Sequence, residues 1–341
     1  MKPRRCVCVG AILSLLVTGM GSGQGQARPA RGTTKTAPPP VQVPVMKLIE
    51  VKHFTVPTGP KSLKFTPDGR YVVVCCLYGH FVTVLDSHTY QIVRKIKVPD
   101  EPVECAFDKA GKTAWVSLYN KHCVLAIDLE TGKILDTIQV GSVPKVITIS
   151  PDDHWIYVAN WSSSSLTIID ATTHKRVKDI PVGRLPRGIC FDHTGKIAYV
   201  AIMGGTTLVK IDPVHDHKKV GAIPAGVTPR HIVCMPDDKA LYVSNNLPGT
   251  LTRIDLGKQK AVATIKVGQM PRTIALSPEG DLLYVCNYQS GNLGIVDTTR
   301  NKQIQQIKTR THPIGVTVSP DGKFIWVSSY NTSVVQVFER K

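Results

Sequence analysis

The sequence predicts an all-β fold: a seven-bladed β-propeller of four-stranded antiparallel blades, with the last blade closed by the N-terminal strand. The first observation behind this prediction is a proline that recurs at intervals of 42 residues, or 43 in one case. These prolines are Pro60, Pro102, Pro144, Pro186, Pro229, Pro271 and Pro313. The second observation is that each unit holds four short apolar segments of strand length, the pattern of one blade. A single unit would leave its sheet faces exposed, so neighbouring units must stack into a ring.

The third unit and part of the fifth show the elements of a blade in order. A first strand follows the proline at residues 145–149 (KVITI), and a turn follows it at residues 150–153 (SPDD). A second strand occupies residues 155–159 (WIYVA), and a third ends at Asp170, whose carboxylate can bond the backbone of the next turn. The fourth strand runs into Val-Gly before the next proline, as in residues 264–268 (TIKVG). Four strands rich in β-branched and aromatic residues are therefore predicted for every blade.

The seventh unit lacks a fourth strand, because the chain stops at Lys341 after a third strand at residues 334–338 (VVQVF). The N-terminal segment 48–56 (LIEVKHFTV) has the pattern of the missing strand and ends before Pro60. We expect this segment to complete the seventh blade, since closure of the ring removes exposed sheet edges. The predicted propeller therefore spans residues 45–341.

The N-terminus has the pattern of an export signal. Lys2, Arg4 and Arg5 precede an apolar run, and small residues follow up to Ala27. We predict a cleaved signal peptide at residues 1–27, with an uncleaved short anchor as the alternative, and a periplasmic or secreted protein with no stable membrane span after cleavage. Residues 28–44, rich in proline, threonine and basic side chains, are predicted to form a disordered linker.

The chain carries 42 Lys and Arg against 25 Asp and Glu, a formal charge of +17. Removal of residues 1–27 takes away three basic residues and no acidic one, which leaves +14. Such a charge indicates either simple solubility or an anionic partner, such as a nucleic acid, a cell-wall polymer or an acidic membrane surface. Seven cysteines follow the signal, and their strand positions predict buried free thiols. They are Cys75, Cys76, Cys105, Cys123, Cys190, Cys234 and Cys286.

The second strands contain a recurring Tyr-Val-x-Asn motif, at residues 157–160, 242–245 and 284–287. With the Val-Gly-x-x-Pro joints, this motif resembles the bacterial YVTN-repeat β-propellers, including the YncE-like proteins. The other four blades depart from the asparagine and carry Cys76, Leu118, Ile202 and Ser329 in its place. The resemblance implies a periplasmic propeller and the binding of single-stranded DNA. Other propellers of similar build are lactone-cleaving enzymes or accessory proteins of redox systems.

One end of the ring collects two sets of residues, because the joint before the first strand and the loop after the second strand lie at the same end. The residue after each repeat proline is basic in five units: Lys61, Lys145, Arg187, Arg230 and Arg272. The residue that follows the asparagine position is aromatic in four units: Tyr119, Trp161, Tyr288 and Tyr330. We add Asn245 of the fifth unit to this loop set. We predict that these residues bind an anionic ligand or polymer with flat groups, such as single-stranded nucleic acid. The alternative is structural: the cations pair with carboxylates at the joints and the rings pack between blades.

Glu104 and His231 occupy the same repeat position, two residues after the proline, in blades 2 and 5. With Arg230 they form the candidate catalytic set of an alternative function, a lactone-cleaving enzyme that needs proton transfer and oxyanion stabilisation. The preferred prediction is a non-catalytic binding or scaffolding propeller that is monomeric, has no cofactor and no metal site, and has an anionic ligand or a protein as its partner.

Overall fold

The computed structural model describes residues 47–341, which form 28 strands in seven four-stranded antiparallel sheets and contain no helix. Within these residues, no helical segment of the length and apolarity needed to cross a membrane is found. The predicted signal peptide and linker, residues 1–27 and 28–44, lie outside the described residues. The predicted seven-bladed propeller is confirmed.

The first strand of each blade is the innermost and begins at the repeat proline. These inner strands are β2 (Pro60–Phe65), β6 (Pro102–Phe107), β10 (Pro144–Ile149), β14 (Pro186–Phe191), β18 (Pro229–Cys234), β22 (Pro271–Leu276) and β26 (Pro313–Val318). The second strands are β3 (Tyr71–Cys76), β7 (Thr113–Leu118), β11 (Trp155–Asn160), β15 (Ala198–Ile202), β19 (Ala240–Asn245), β23 (Leu282–Asn287) and β27 (Phe324–Ser329).

The third and outer strands complete the blades. The third strands are β4 (Phe81–Asp86), β8 (Cys123–Asp128), β12 (Ser165–Asp170), β16 (Thr207–Asp212), β20 (Thr250–Asp255), β24 (Asn292–Asp297) and β28 (Val334–Arg340). The outer strands are β1 (Leu48–Thr55), β5 (Ile92–Lys97), β9 (Ile134–Gln139), β13 (Lys175–Pro181), β17 (Lys218–Pro224), β21 (Lys260–Lys266) and β25 (Lys302–Lys308). The inner strand begins with proline because the first residue of a strand can go without an N–H donor.

The core lies between the stacked blades. Second and third strands are almost wholly buried, as in β19 and β12, whereas the outer strands are mostly exposed, as in β13, where Ile180 alone is buried. The large residues Trp115, Tyr157 and Trp326 are buried at these interfaces. The stacking of hydrophobic faces between blades therefore supplies most of the apolar burial, as the repeat pattern predicts.

The ring is closed by the strand pair β1–β28. These strands run antiparallel, with Leu48 opposite Arg340 and Thr55 opposite Val334. Beyond the strands, Lys47 and Lys341 exchange two backbone hydrogen bonds of 3.1 and 2.9 Å. The predicted closure of the last blade by the N-terminal strand is confirmed.

Each inner strand carries a β-bulge directly after its proline. The pairing register with the second strand shifts between Pro60 and Ser62 in β2, and it shifts at the corresponding place in the other six inner strands. A bulge breaks the alternation of a strand and re-aims a side chain. The residue after the proline is therefore released from the regular pattern of the strand.

Candidate functional site

The joints and the loops meet at one end of the ring in every blade. The amide of the residue after the second strand donates to the carbonyl of the residue before the repeat proline, as Trp161 does to Val143 at 3.0 Å and Tyr288 does to Met270 at 3.2 Å. The same bond is present in the other five blades. We call this end of the central channel the mouth.

The joint residues before the prolines adopt the left-handed conformation in six blades. Their φ values are 71° at Gly59, 56° at Val143, 58° at Leu185, 53° at Thr228, 53° at Met270 and 58° at His312. This region is unfavourable for side chains with a Cβ and most of all for β-branched residues. The loop hydrogen bonds hold these turns in place, and the turns direct the chain into the bulges.

Five basic side chains start from the bulges of blades 1, 3, 4, 5 and 6, and we call them the basic ring: Lys61, Lys145, Arg187, Arg230 and Arg272. Lys145 and Arg230 are buried, with 8% and 5% of their surface exposed, and the other three are half-buried. The charges of arginines in blades 4 to 6 contribute to lowering the pKa of Lys61 in blade 1, so the basic ring spans the channel.

The basic ring lacks counter-charges. Among residues 47–341, the ion pairs between basic side chains and carboxylates include none of the five. The alternative that these cations pair with carboxylates at the joints is therefore not what this geometry shows.

Burial and mutual repulsion lower the pKa values of the basic ring. Burial, then the charges of Arg187 and Arg230, lowers the pKa of Lys145 to about 7, against a weaker opposing effect of Glu101. Burial, and then Arg272, lowers the pKa of Arg187 to about 10. The pKa of Lys61 lies well below its usual value for the same reasons. A cluster of cations in a poorly solvated place favours the entry of an anion.

Three of the predicted aromatic residues contact the basic ring directly. The ammonium group of Lys145 lies 3.7 Å from the ring centroid of Tyr119 and 5.5 Å from that of Trp161. The guanidinium of Arg272 lies 4.2 Å from the centroid of Tyr288. These are cation–π distances, so the rings position and partly shield the cations. They are less free to stack on a ligand than the sequence suggests.

Two buried donors beside these cations have no hydrogen-bond partner: Trp161 Nε1 and Arg272 Nε. A buried N–H without an acceptor costs about 1–3 kcal/mol, so such groups are usually satisfied by a ligand or by water. Both are donors, as an anionic ligand requires.

Asn245 and Tyr330 lie differently from the other predicted residues. Asn245 is 1% exposed and donates within its own blade to Thr250 and Thr252, at 3.3 and 2.7 Å. It fixes the turn between β19 and β20 and presents almost no surface to a ligand. Tyr330 packs against Tyr78, with 5.4 Å between ring centroids.

Two of the alternative catalytic residues, Glu104 and His231, lie beyond the basic ring, whereas the third, Arg230, belongs to it. Glu104 and His231 line one cavity of about 450 Å³, enclosed by inner strands of several blades. Lys64, a residue outside the predicted site, also lines this cavity, and its Nζ lies 3.6 Å from Oε1 of Glu104. Burial, followed by the charges of Lys64 and Arg230, lowers the pKa of His231 to about 3, and its Nδ1 has no partner. In the described part of the chain, no group of three metal-ligating side chains comes together.

Three residues near the site were missed: Lys64, Tyr78 and Glu101. Tyr78 stands two residues after the asparagine position instead of one, and Glu101 is a joint residue, so neither belongs to the repeat positions that the sequence analysis compared. Lys64 stands two positions beyond the channel-lining Ser62 on the same strand, and the period of two along a strand was a signal for it.

Family models match parts of the chain. A model described as YNCE-like beta-propeller matches residues 104–196, and one described as Lactonase, 7-bladed beta-propeller, matches residues 181–308 and 260–341. These matches support a YncE-like propeller family. No curated protein sequence matches this chain significantly.

Solved structures share the fold of this chain. Kuenenia stuttgartiensis hydrazine synthase superimposes with a TM-score of 0.75 at 22% identity, over 85% of this chain and 98% of that chain. The Cps50 (Swd1) β-propeller domain of Myceliophteria thermophila superimposes with a TM-score of 0.76 at 12% identity, over 86% of this chain and 99% of that domain. At these identities the likeness concerns the fold alone.

Proposed function

We propose that this chain is an exported binding or scaffolding propeller that holds a phosphate-bearing polymer at the mouth of its channel. The observation that carries the proposal is the basic ring: five cationic side chains, two of them buried, with no carboxylate partner in the described residues. Burying several like charges without a counter-ion is costly, and a polyanion removes that cost when it binds.

The mouth suits a chain of phosphates better than a single small anion. The five cations come from five blades and therefore surround the axis of the ring instead of converging from one side. The unpartnered donors of Trp161 and Arg272 add hydrogen bonds to acceptor oxygens. Single-stranded nucleic acid and inorganic polyphosphate share this chemistry, and a free end of either can enter a channel mouth.

Salt dependence tests the proposal quantitatively. If all five cations contact phosphates of a single strand, the slope of log K against log salt is about −3 to −4. We expect a fluorescently labelled oligothymidylate, titrated at several salt concentrations, to show that slope. Competition with inorganic polyphosphate then shows whether bases contribute: equal affinity per phosphate assigns recognition to the phosphates alone.

The decisive variant replaces Arg187, Arg230 and Arg272 together by glutamine. We expect the affinity to fall at least about tenfold and the salt slope to weaken by about 2, because three phosphate contacts are lost. The matched control replaces three exposed lysines of the outer strands, Lys175, Lys218 and Lys260, by glutamine, which changes the net charge by the same amount. If the two triple variants bind every polyanion equally, the mouth is not the binding site.

A second candidate function is the hydrolysis of a lactone. The observation that favours it is the match of residues 181–341 to the lactonase propeller model, together with Glu104, His231 and Arg230 around the channel. A histidine with a pKa of about 3 is neutral at pH 7 but takes up a proton weakly, which limits it as a general base. A panel of lactones, assayed with the wild type and with His231→Ala, tests this: turnover that the substitution abolishes supports the enzyme.

A further inference from the structure

Two cysteines lie side by side where blades 4 and 5 meet, at the end of the channel opposite the mouth. Cys190 belongs to β14 and Cys234 to β18, and their Sγ atoms are 2.8 Å apart. Sulfur atoms at this distance are closer than ordinary non-bonded contact, and a bond of about 2.05 Å needs only a small movement. We infer that Cys190 and Cys234 form a modification site, at which a small-molecule disulfide oxidises the two thiols to a disulfide that joins blades 4 and 5.

Gly188 allows strands β14 and β18 to approach closely, because glycine has no side chain. Gly188 of β14 faces β18, and a Cβ atom at that place would lie 2.9 Å from both the carbonyl oxygen of Arg230 and the Cα of His231. Both atoms belong to the backbone and cannot swing aside. The inner strands of blades 4 and 5 therefore approach more closely at Gly188 than a larger residue would allow, and Cys190 follows two residues later on the same strand.

The pair is also accessible to a small solute. Cys190 and Cys234 are half-buried and line a cavity of about 510 Å³. The other five cysteines of the described residues are buried. Among these, Cys75 and Cys105 interact between blades 1 and 2 but have no exposed surface. Access and proximity therefore select one pair out of seven thiols.

Oxidised glutathione serves as the oxidant in a balanced exchange. One protein thiolate attacks a sulfur of oxidised glutathione, forms a mixed disulfide and releases one glutathione thiolate. The neighbouring protein thiol loses its proton to solvent, and its thiolate attacks the protein sulfur and displaces the second glutathione. In sum, two protein thiols and one oxidised glutathione become one protein disulfide and two reduced glutathione molecules.

The disulfide would close a chain segment of 44 residues, the sequence separation of the two cysteines. Closing a loop of that length restricts the unfolded chain, so the oxidised protein unfolds at a higher temperature, by about 5 °C for a domain of this size. Arg187 and Arg230 stand on the same two strands. The cross-link therefore also fixes the spacing of two members of the basic ring.

The full chain, reduced and then incubated with oxidised glutathione, provides the test. After alkylation and tryptic digestion without reductant, we expect peptides 188–196 and 231–239 joined by a disulfide, since cleavage follows Arg187, Arg230, Lys196 and Lys239. We also expect the Tm of the oxidised wild type to exceed that of the reduced protein by about 5 °C. Cys190→Ser and Cys234→Ser should each lose both signals.

Cys286→Ser is the matched control, because its thiol is buried and has no thiol neighbour among its contacts. It should form the cross-link and show the same Tm shift as the wild type. A mixed glutathione disulfide that persists on Cys190 or Cys234 would overturn the inference, because a thiol 2.8 Å away should displace the glutathione. A cross-link between other cysteines, or no modification, would overturn it as well.

Discussion

At the scale of single residues, Lys145 shows how this propeller concentrates charge. Its ammonium group lies 3.7 Å from the ring centroid of Tyr119 and 5.5 Å from that of Trp161, and burial is the largest cause of its low pKa, followed by the charges of Arg187 and Arg230. With a pKa of about 7, the side chain changes charge where most binding assays are run. The protonation of Lys145 is therefore linked to whatever anion binds beside it.

The first prediction concerns the pH dependence of polyanion affinity. An anion favours the protonated forms of Lys145 and Lys61, whose pKa values are both lowered. Affinity should be highest below pH 7 and fall about tenfold as the pH rises from 7 to 9. A bound anion that raises the pKa of a lysine by one unit gives a tenfold change in affinity across the titration. Titrations with labelled oligothymidylate at constant salt measure this. The double variant Lys61→Gln/Lys145→Gln should bind with a flat pH profile, and a wild-type profile in that variant would refute the linkage.

The second prediction concerns the stability of the free protein, for which the sign is opposite. The folded pKa of Lys145 is about 7 and its unfolded value about 10.5, so between these values the unfolded chain binds more protons. Stability should therefore rise with pH from 7 towards 10. Urea denaturation at pH 7, 8 and 9 should show a midpoint that increases in the wild type and increases less in Lys145→Gln. A midpoint that falls equally in both proteins would contradict this account.

At the scale of elements, the joints before the inner strands combine strain with position. Val143 and Thr228 are β-branched residues in the left-handed region, where such side chains are disfavoured. They are held there by the backbone bonds from Trp161 and Asn246. The strain is local, because it arises from the residue's own Cβ and carbonyl groups.

The third prediction follows from this strain. Replacing Val143 by glycine should stabilise the protein by about 1 kcal/mol, because glycine accepts φ near 56° without a steric penalty. The same change at Val146, which is buried and has no left-handed conformation, should destabilise it through lost packing. Chemical denaturation compares the two variants. If Val143→Gly is less stable than the wild type, packing of the valine outweighs the strain.

The fourth prediction concerns the contact between β14 and β18. Gly188→Ala should destabilise the protein by about 1–3 kcal/mol, since the added methyl group meets backbone atoms at 2.9 Å. The control is Gly205→Ala, where the nearest atom lies at 3.6 Å and a methyl group fits. Thermal unfolding of both variants decides the matter, and equal melting temperatures would show that the strands move apart without cost.

The periodic features of the elements were predictable from the sequence. The blades, the order of strands and the closing strand depend on the repeat interval, which the prolines mark directly. The end of the ring that carries Lys145 and Trp161 also follows from repeat positions. The bulges did not follow, because they depend on the pairing of two strands within a blade. The contact of Lys145 in blade 3 with Tyr119 in blade 2 did not follow either, because it depends on the distance between blades. The burial of Asn245 could not be predicted either, because it depends on hydrogen bonds from its side chain to Thr250 and Thr252.

At the scale of the whole molecule, the two chain ends hold the ring together. Trp326 of blade 7 contacts Phe54 of β1 and Phe65 of blade 1, with centroid distances of 5.6 and 5.8 Å. The interface between the last and the first blade therefore depends on the same strand that completes the last sheet. Loss of β1 exposes both the edge of β28 and part of this aromatic cluster.

The fifth prediction is that deletion of residues 45–57 lowers the melting temperature of the whole propeller. The deletion removes all of β1 and its backbone pairing with β28. Deletion of residues 28–44 is the control, and we expect it to leave the melting temperature unchanged. Calorimetry or circular dichroism measures both. An unchanged melting temperature for the first deletion would mean that the ring is stable when open.

β1 precedes the other described strands in the sequence, and this sets an order of events during synthesis. Its partner β28 is made last, about 280 residues later, which corresponds to roughly 15–60 s at ordinary rates of translation. Through that interval the blades can form one after another, while the first strand has no partner. The nascent ring therefore stays an open arc until β28 emerges, and the strand that is made first is the last to be paired.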